Sequence, residues 1–189
     1  MPISMPLSMA IPGHAAPAAG FEAPLEMLSA CHHRVERQCA TLRRLVVHLL
    51  GREPDEDARA AAAAVLRYFD TAAKDRHADE EADLFPALVE SMAGSDAVCI
   101  RGLIDALTLD HRALESRWQR LRVMLQSIAA GDPVHLDSAY VESFIRLYER
   151  HIAREEAELL PMASRLLGDD ALNEIGKAMR ERRGIASID

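Results

Sequence analysis

The chain reads as all-α: an antiparallel, up-down-up-down four-helix bundle followed by a short C-terminal helix. Three observations predict this. Alanine, leucine, glutamate and arginine dominate the 189 residues, aromatics make up 4%, and no segment alternates with the period of two expected of a strand. Apolar residues recur instead at helical spacing, as in Leu25, Leu28, Val35, Leu42, Leu45 and Leu49. Glycine and proline clusters then cut the chain into four long helical stretches with short connections, the pattern of a bundle. A chain of this length can bury a sizeable core in one domain.

The elements follow in order. Residues 1–21 are expected to form a flexible tail: MPISMPLSMAIPGHAAPAAG is rich in Met, Pro and Ala, and no Lys or Arg precedes Arg34, so the charged start of a secretory signal is missing. His14 in that tail is read as uninvolved. The bundle spans residues 22–168, and residues 169–189 form a short helix and tail. Pro24 suits the first turn of helix one, which runs to about Leu50 and ends at Gly51-Arg52-Glu53-Pro54. Helix two runs from about Asp55 to about Glu90, with Pro86 expected to kink or shorten its last turn. Ala93-Gly94-Ser95-Asp96 separates it from helix three, about residues 97–129, which Gly131-Asp132-Pro133 closes. Helix four runs from about Asp137 to Leu167, with Gly168 expected as the left-handed residue just past its end. The fifth helix, about 170–182, carries no metal-type residues.

Composition removes several function classes. No run of about 18 apolar residues occurs, so no membrane span is expected. The net charge of −8 argues against nucleic acid, whose phosphates need a basic face. Cys31, Cys39 and Cys99 are odd in number and form no CxxC, which points to reduced thiols in a cytoplasm, with Cys31 a small buried residue rather than a redox group.

One pattern stands above this background. Four of the eight histidines have a glutamate four residues on: His32 and Glu36, His77 and Glu81, His111 and Glu115, His151 and Glu155. With 16 glutamates in 189 positions, chance supplies well under one such pair for eight histidines. Residues i and i+4 share a helix face, so each pair presents an imidazole and a carboxylate to one point. That donor set suits iron, manganese and zinc, and a two-metal site needs carboxylates able to bridge. Register supports convergence. At about 1.5 Å per residue, the positions of His32, His77, His111 and His151 relative to the three turns place all four in one layer. Histidines and carboxylates gathered in one core layer would be costly without a metal to neutralise them.

The chain also looks duplicated. His77-Ala-Asp-Glu-Glu-Ala-Asp-Leu-Phe-Pro86 echoes His151-Ile-Ala-Arg-Glu-Glu-Ala-Glu-Leu-Leu-Pro161, with the Glu-Glu-Ala parts at an offset of 75 and the histidines at 74. Either Glu80 or Glu81, and either Glu155 or Glu156, could therefore be the inward carboxylate. Position i+5 lies about 140° round a helix from i, so Glu81 and Glu155 are the expected pair.

These motifs resemble the hemerythrin-like, HHE cation-binding family over about residues 25–167. The carriers are Cys31-His32-His33-Arg34-Val35, the His77–Pro86 segment, Asp110-His111-Arg112-Ala113-Leu114-Glu115, and His151-Ile152-Ala153-Arg154-Glu155-Glu156. The resemblance implies a hemerythrin-like bundle holding two non-haem iron ions, oxo- or hydroxo-bridged. It makes His32, His77, His111 and His151 terminal ligands and Glu81 and Glu155 bridges. The oxygen carriers of the family have HxxxH on the third helix, and Glu115 stands here at the second position, which argues against simple reversible oxygen carriage. Glu115 is kept as a candidate ligand, with a surface role as its alternative. Glu36 and His33 are expected on the solvent face, Tyr148 in the core near the site, and His48 and His135 outside it. Phe69, Trp118 and Phe144 fall on ligand faces and should form the dry surround.

The function expected is that of a di-iron protein that binds oxygen, nitric oxide or peroxide, a small-ligand-binding protein more than a dedicated enzyme. One alternative is a di-iron enzyme that turns over peroxide or supplies iron to repair iron–sulfur clusters. Another is a structural module holding zinc or no metal. A sensor would need a protein partner, because no second domain is evident to transmit a signal.

Overall fold

The computed structural model describes residues 20–92 and 96–185, and the expectations for the tail and for His14 lie outside these. The described residues are helical with short connections and contain no strand. Helix α1 (Pro24–His48) forms the first rod. The second rod is composite: α2 (Glu56–Asp70), α3 (Ala72–Asp79), a π-helical turn π1 (Glu80–Leu84) and α4 (Phe85–Ser91). Helix α5 (Asp96–Ala130) is the third rod. The fourth comprises α6 (Ser138–Arg154), a second π turn π2 (Glu155–Leu159) and α7 (Leu160–Leu166). Helix α8 (Asp169–Arg182) then lies against α1 and α3. The four rods pack α1 on α2 and α6, and α5 on α2 and α6, the neighbour pattern of an antiparallel bundle.

Local chemistry sets these boundaries. Pro24 occupies the first turn of α1, and Gly51 takes the left-handed conformation (φ 67°) in the connection to α2. Asp55 caps α2 by accepting from the Ala58 N–H, and Asp137 caps α6 by accepting from Ala139 and Tyr140. Gly168 departs from expectation. Its φ of −80° is not left-handed, and it is the residue from which α8 starts, with Leu167 ending α7.

The π turns were not expected, and they repeat the internal duplication. In each, an N–H reaches back five residues: Phe85 to the Glu80 carbonyl, and Leu160 to the Glu155 carbonyl. Each ends two residues before a proline, Pro86 or Pro161. Proline has no N–H to donate and its ring crowds the carbonyl four residues back, so the turn ahead of it widens rather than the rod bending away. Such single-turn π bulges recur at functional sites.

Packing separates the core into two apolar clusters. Val35, Ala73, Leu114, Tyr148 and Ile152 bound one of them. Leu28, Leu84, Leu107 and Leu159 bound the other. Between them, one polar layer crosses all four rods at His32, Arg76, Glu80, His111, His151 and Glu155, each nine-tenths or more buried. On the first cluster's side sit Phe69, Trp118 and Phe144, with ring centroids 4.9 to 6.1 Å apart. Helix α8 braces the layer from outside: Arg182 and Arg183 both pair with the buried carboxylate of Asp79, and Arg182 also reaches Asp83. Gly176 lets α8 come close to the entry segment, because a Cβ there would lie 2.0 Å from the Phe21 carbonyl oxygen.

Candidate metal centre

The layer's donors face one another without the geometry of hydrogen bonds. His111 Nε2 lies 3.0 Å from Glu80 Oε2, and His151 Nε2 lies 2.8 Å from Glu155 Oε1. All four atoms are sealed from solvent and none makes a hydrogen bond. Ligand atoms of Glu80, His111, His151 and Glu155 lie within 4.8 Å of one another, and those of His77, His111 and His151 form a second such group. Buried polar atoms are normally satisfied. Lone pairs converging unsatisfied on one point are what a metal ion would satisfy, so imidazoles and carboxylates here fit a cation of the iron, manganese or zinc type.

Carboxylates outside the layer orient its imidazoles. Glu81 Oε1 is 2.7 Å from His111 Nδ1, and Glu156 Oε1 is 2.5 Å from His32 Nδ1. With the outer nitrogen carrying the proton, Nε2 turns its lone pair inward. Asp110 stands 3.7 Å behind His151 Nδ1 and is itself held by Arg154 at 2.9 Å. Glu81 and Glu156 are equivalent in the duplication, each the second glutamate of a Glu-Glu pair. Each half therefore supplies one inward carboxylate and one that holds a histidine of a neighbouring rod.

The geometry differs from the sequence expectation in three respects. First, the inward carboxylate of the second rod is Glu80, not Glu81, whose side chain is 25% exposed and holds His111 and Arg112. The i+4 partner that sets the face is Arg76 rather than His77: Arg76 Nη1 is 3.3 Å from Glu80 Oε1, and His77 lies about 100° further round. Second, Glu115 lies outside the cluster. It accepts from Gln119 Nε2 at 2.5 Å on the rim of a surface cavity of about 260 Å³, shared with Lys74, His77, Glu81, His111 and Arg112. Third, sequence reasoning passed over Arg76, which is completely buried and donates to Glu155 Oε2 at 2.7 Å. The offset of 75 carried the signal, since it aligns Arg76 with His151 and Glu80 with Glu155. His32, His77, His111, His151 and Glu155 do come together, with His77 at the cavity edge and His32 Nε2 2.8 Å from Glu155 Oε2. Glu36, His33 and His135 are exposed, and His48 pairs with Asp55 away from the site.

Electrostatics agree with this division. Burial, reinforced by Arg76, drives the His77 imidazole well below its usual range, so it is neutral and able to donate a lone pair. Burial pushes the Glu155 carboxyl upward, but Arg76 and the adjacent His151 and His32 imidazoles outweigh it and hold the group ionised. Burial lowers His111, and Glu80 and Glu81 more than offset this, so its proton must leave when a cation binds. Tyr148, buried with its ring centroid 6.3 Å from that of His77, keeps its phenolic proton because burial raises it far above normal.

Comparison with known proteins gives the same picture. The chain is 35% identical over 167 residues to an uncharacterized protein of Haemophilus influenzae, which covers 88% of this chain and 94% of that one. Residues 23–163 match the model of the hemerythrin HHE cation binding domain. That span holds every residue of the polar layer and both π turns, and the chain belongs to the hemerythrin HHE cation-binding family.

Proposed function

We propose that this protein is a non-haem iron protein whose centre meets a small oxidant or diatomic ligand: oxygen, nitric oxide or peroxide. The observation that carries this is the convergence of unpaired Nε2 atoms and carboxylate oxygens at 2.8–3.0 Å inside a dry layer. Bound iron would supply a redox-active ion with a coordination position for the small ligand. His77, His111, His151, Glu80 and Glu155 would hold it; Glu81 orients the His111 imidazole; the two apolar clusters exclude bulk water. The cavity beside His77 supports access, because it brings solvent to one edge of an otherwise sealed layer.

The test is metal analysis and optical spectroscopy of protein purified from iron-supplied cells, before and after oxygen, nitric oxide and peroxide. Iron bound in the layer should give ligand-to-iron charge-transfer bands that shift with at least one of the three. Protein carrying zinc alone under those conditions, with no spectral response, would establish a structural role instead.

A further inference from the structure

We propose that the Arg76 guanidinium takes the place of a second metal ion, so that the centre holds one iron and one fixed positive charge rather than an iron pair. This rests on the iron-binding reading above and narrows it.

The duplication supplies the first part of the argument. An offset of 75 superimposes Glu80–Pro86 on Glu155–Pro161, π turns included, and puts Arg76 where the other half has His151. The structure keeps that equivalence. His151 reaches the inward carboxylate of its own rod at i+4, 2.8 Å from Glu155 Oε1, and Arg76 does the same at 3.3 Å from Glu80 Oε1.

The carboxylate oxygens supply the second part. A pair of bridging carboxylates gives one oxygen of each to either metal. Here Glu80 Oε2 and Glu155 Oε1 turn towards His111 and His151 and have no other partner. The remaining two, Glu80 Oε1 and Glu155 Oε2, are spanned by Arg76 Nη1, at 3.3 and 2.7 Å. Among the described residues, His32 Nε2, 2.8 Å from Glu155 Oε2, is the imidazole donor left on that side. A cation at that position would have to displace a buried guanidinium that cannot lose its proton. It would also add positive charge beside one already there, in a layer where charges are poorly screened.

Burial of Arg76 is not explained by stability. Its Nε and Nη2 have no hydrogen-bond partner, and buried ion pairs seldom repay their desolvation. Neutralising two carboxylates that would otherwise need a second metal accounts for its position.

The experiment measures iron per chain and the electron paramagnetic resonance of the ferric protein, for the wild type, Arg76→His and Arg76→Lys. The wild type should bind about one iron per chain and show the signal of an isolated high-spin ferric ion. Arg76→His, which restores the imidazole of the duplicate, should double the iron content and lose that signal through coupling. Arg76→Lys, which keeps the charge, should stay at one. Two coupled irons in the wild type would overturn the inference while leaving the iron reading intact. One zinc per chain would overturn the iron reading alone, and no metal would overturn both. Should Arg76→His fail to fold, the wild-type count and spin state still decide.

Discussion

At the residue scale the centre depends on which of two adjacent glutamates faces inward. Glu80 is sealed in the layer, and Glu81 holds His111 from outside. Glu80→Ala should therefore abolish metal retention. Glu81→Gln should weaken it about 10- to 100-fold, the usual cost of losing a partner behind a ligand histidine. Glu115→Ala, which releases only Gln119 at the cavity rim, should leave affinity unchanged. Competition with a coloured chelator measures all three, and a larger loss for the Glu81 variant than for the Glu80 variant would reverse their roles. The histidines themselves were legible in the sequence, because His-x-x-x-Glu spacing at helical period is specific and bundle register could be counted from the turns. The choice of Glu81 was not legible from i+4 spacing. It took His77 as the reference, whereas the face is set by Arg76, a residue whose charge makes it look like a surface group until its two buried carboxylates are seen.

At the scale of elements, the rods are held in register by a few polar ties across an apolar interface. Asp70 at the end of α2 accepts from Trp118 Nε1 at 3.0 Å and from Arg122 Nε at 2.9 Å, both on α5. Burial pushes its carboxyl upward, and these two donors more than compensate, so its folded value is below the ordinary one. A group with a depressed folded value stabilises the fold above its unfolded value, about pH 3.9 for aspartate, and loses that contribution as pH falls through the folded value. Asp70→Asn should cost about 1.5 kcal/mol near neutrality. That is roughly 3–6 °C in melting temperature at this chain length. The deficit should disappear in acid, and thermal melts of both proteins from neutral pH to about pH 3 provide the check. Helix boundaries were legible because caps, prolines and glycine turns carry them. The π turns were not. Pro86 announces a disturbance in the second rod, but sequence does not say whether the chain answers with a bend or with an extra residue in the turn, and packing on both flanks selects the latter.

For the whole molecule, the polar layer is a joint between two apolar clusters. Metal held by His77, Glu80, His111, His151 and Glu155 would tie three of the four rods at one level, so its binding free energy would add directly to folding. With free metal at about a thousand times its dissociation constant, the gain is roughly 4 kcal/mol. At this chain length, chelation should then lower the melting temperature by about 8–16 °C. The metal-free protein should remain helical, because Arg76 already neutralises part of the layer and both clusters persist. Calorimetry with and without chelator, alongside circular dichroism, tests both statements, and identical melts would mean that the layer is held by Arg76 and packing alone. The all-α bundle was legible at this scale because a helical apolar period and three short connections admit few other arrangements.

A guanidinium that never titrates is also a fixed contribution to the potential felt at the neighbouring position. Arg76 touches both inward carboxylates and draws on the electron density that each would share with iron. Positive charge at that distance disfavours the ferric ion more than the ferrous one, and does so equally at every physiological pH. The couple of the loaded protein should therefore sit at a higher midpoint than in an Arg76→Met variant, by an amount that spectroelectrochemical titration would measure. A centre set in this way would rest in the reduced form and would yield its electron only to strong oxidants.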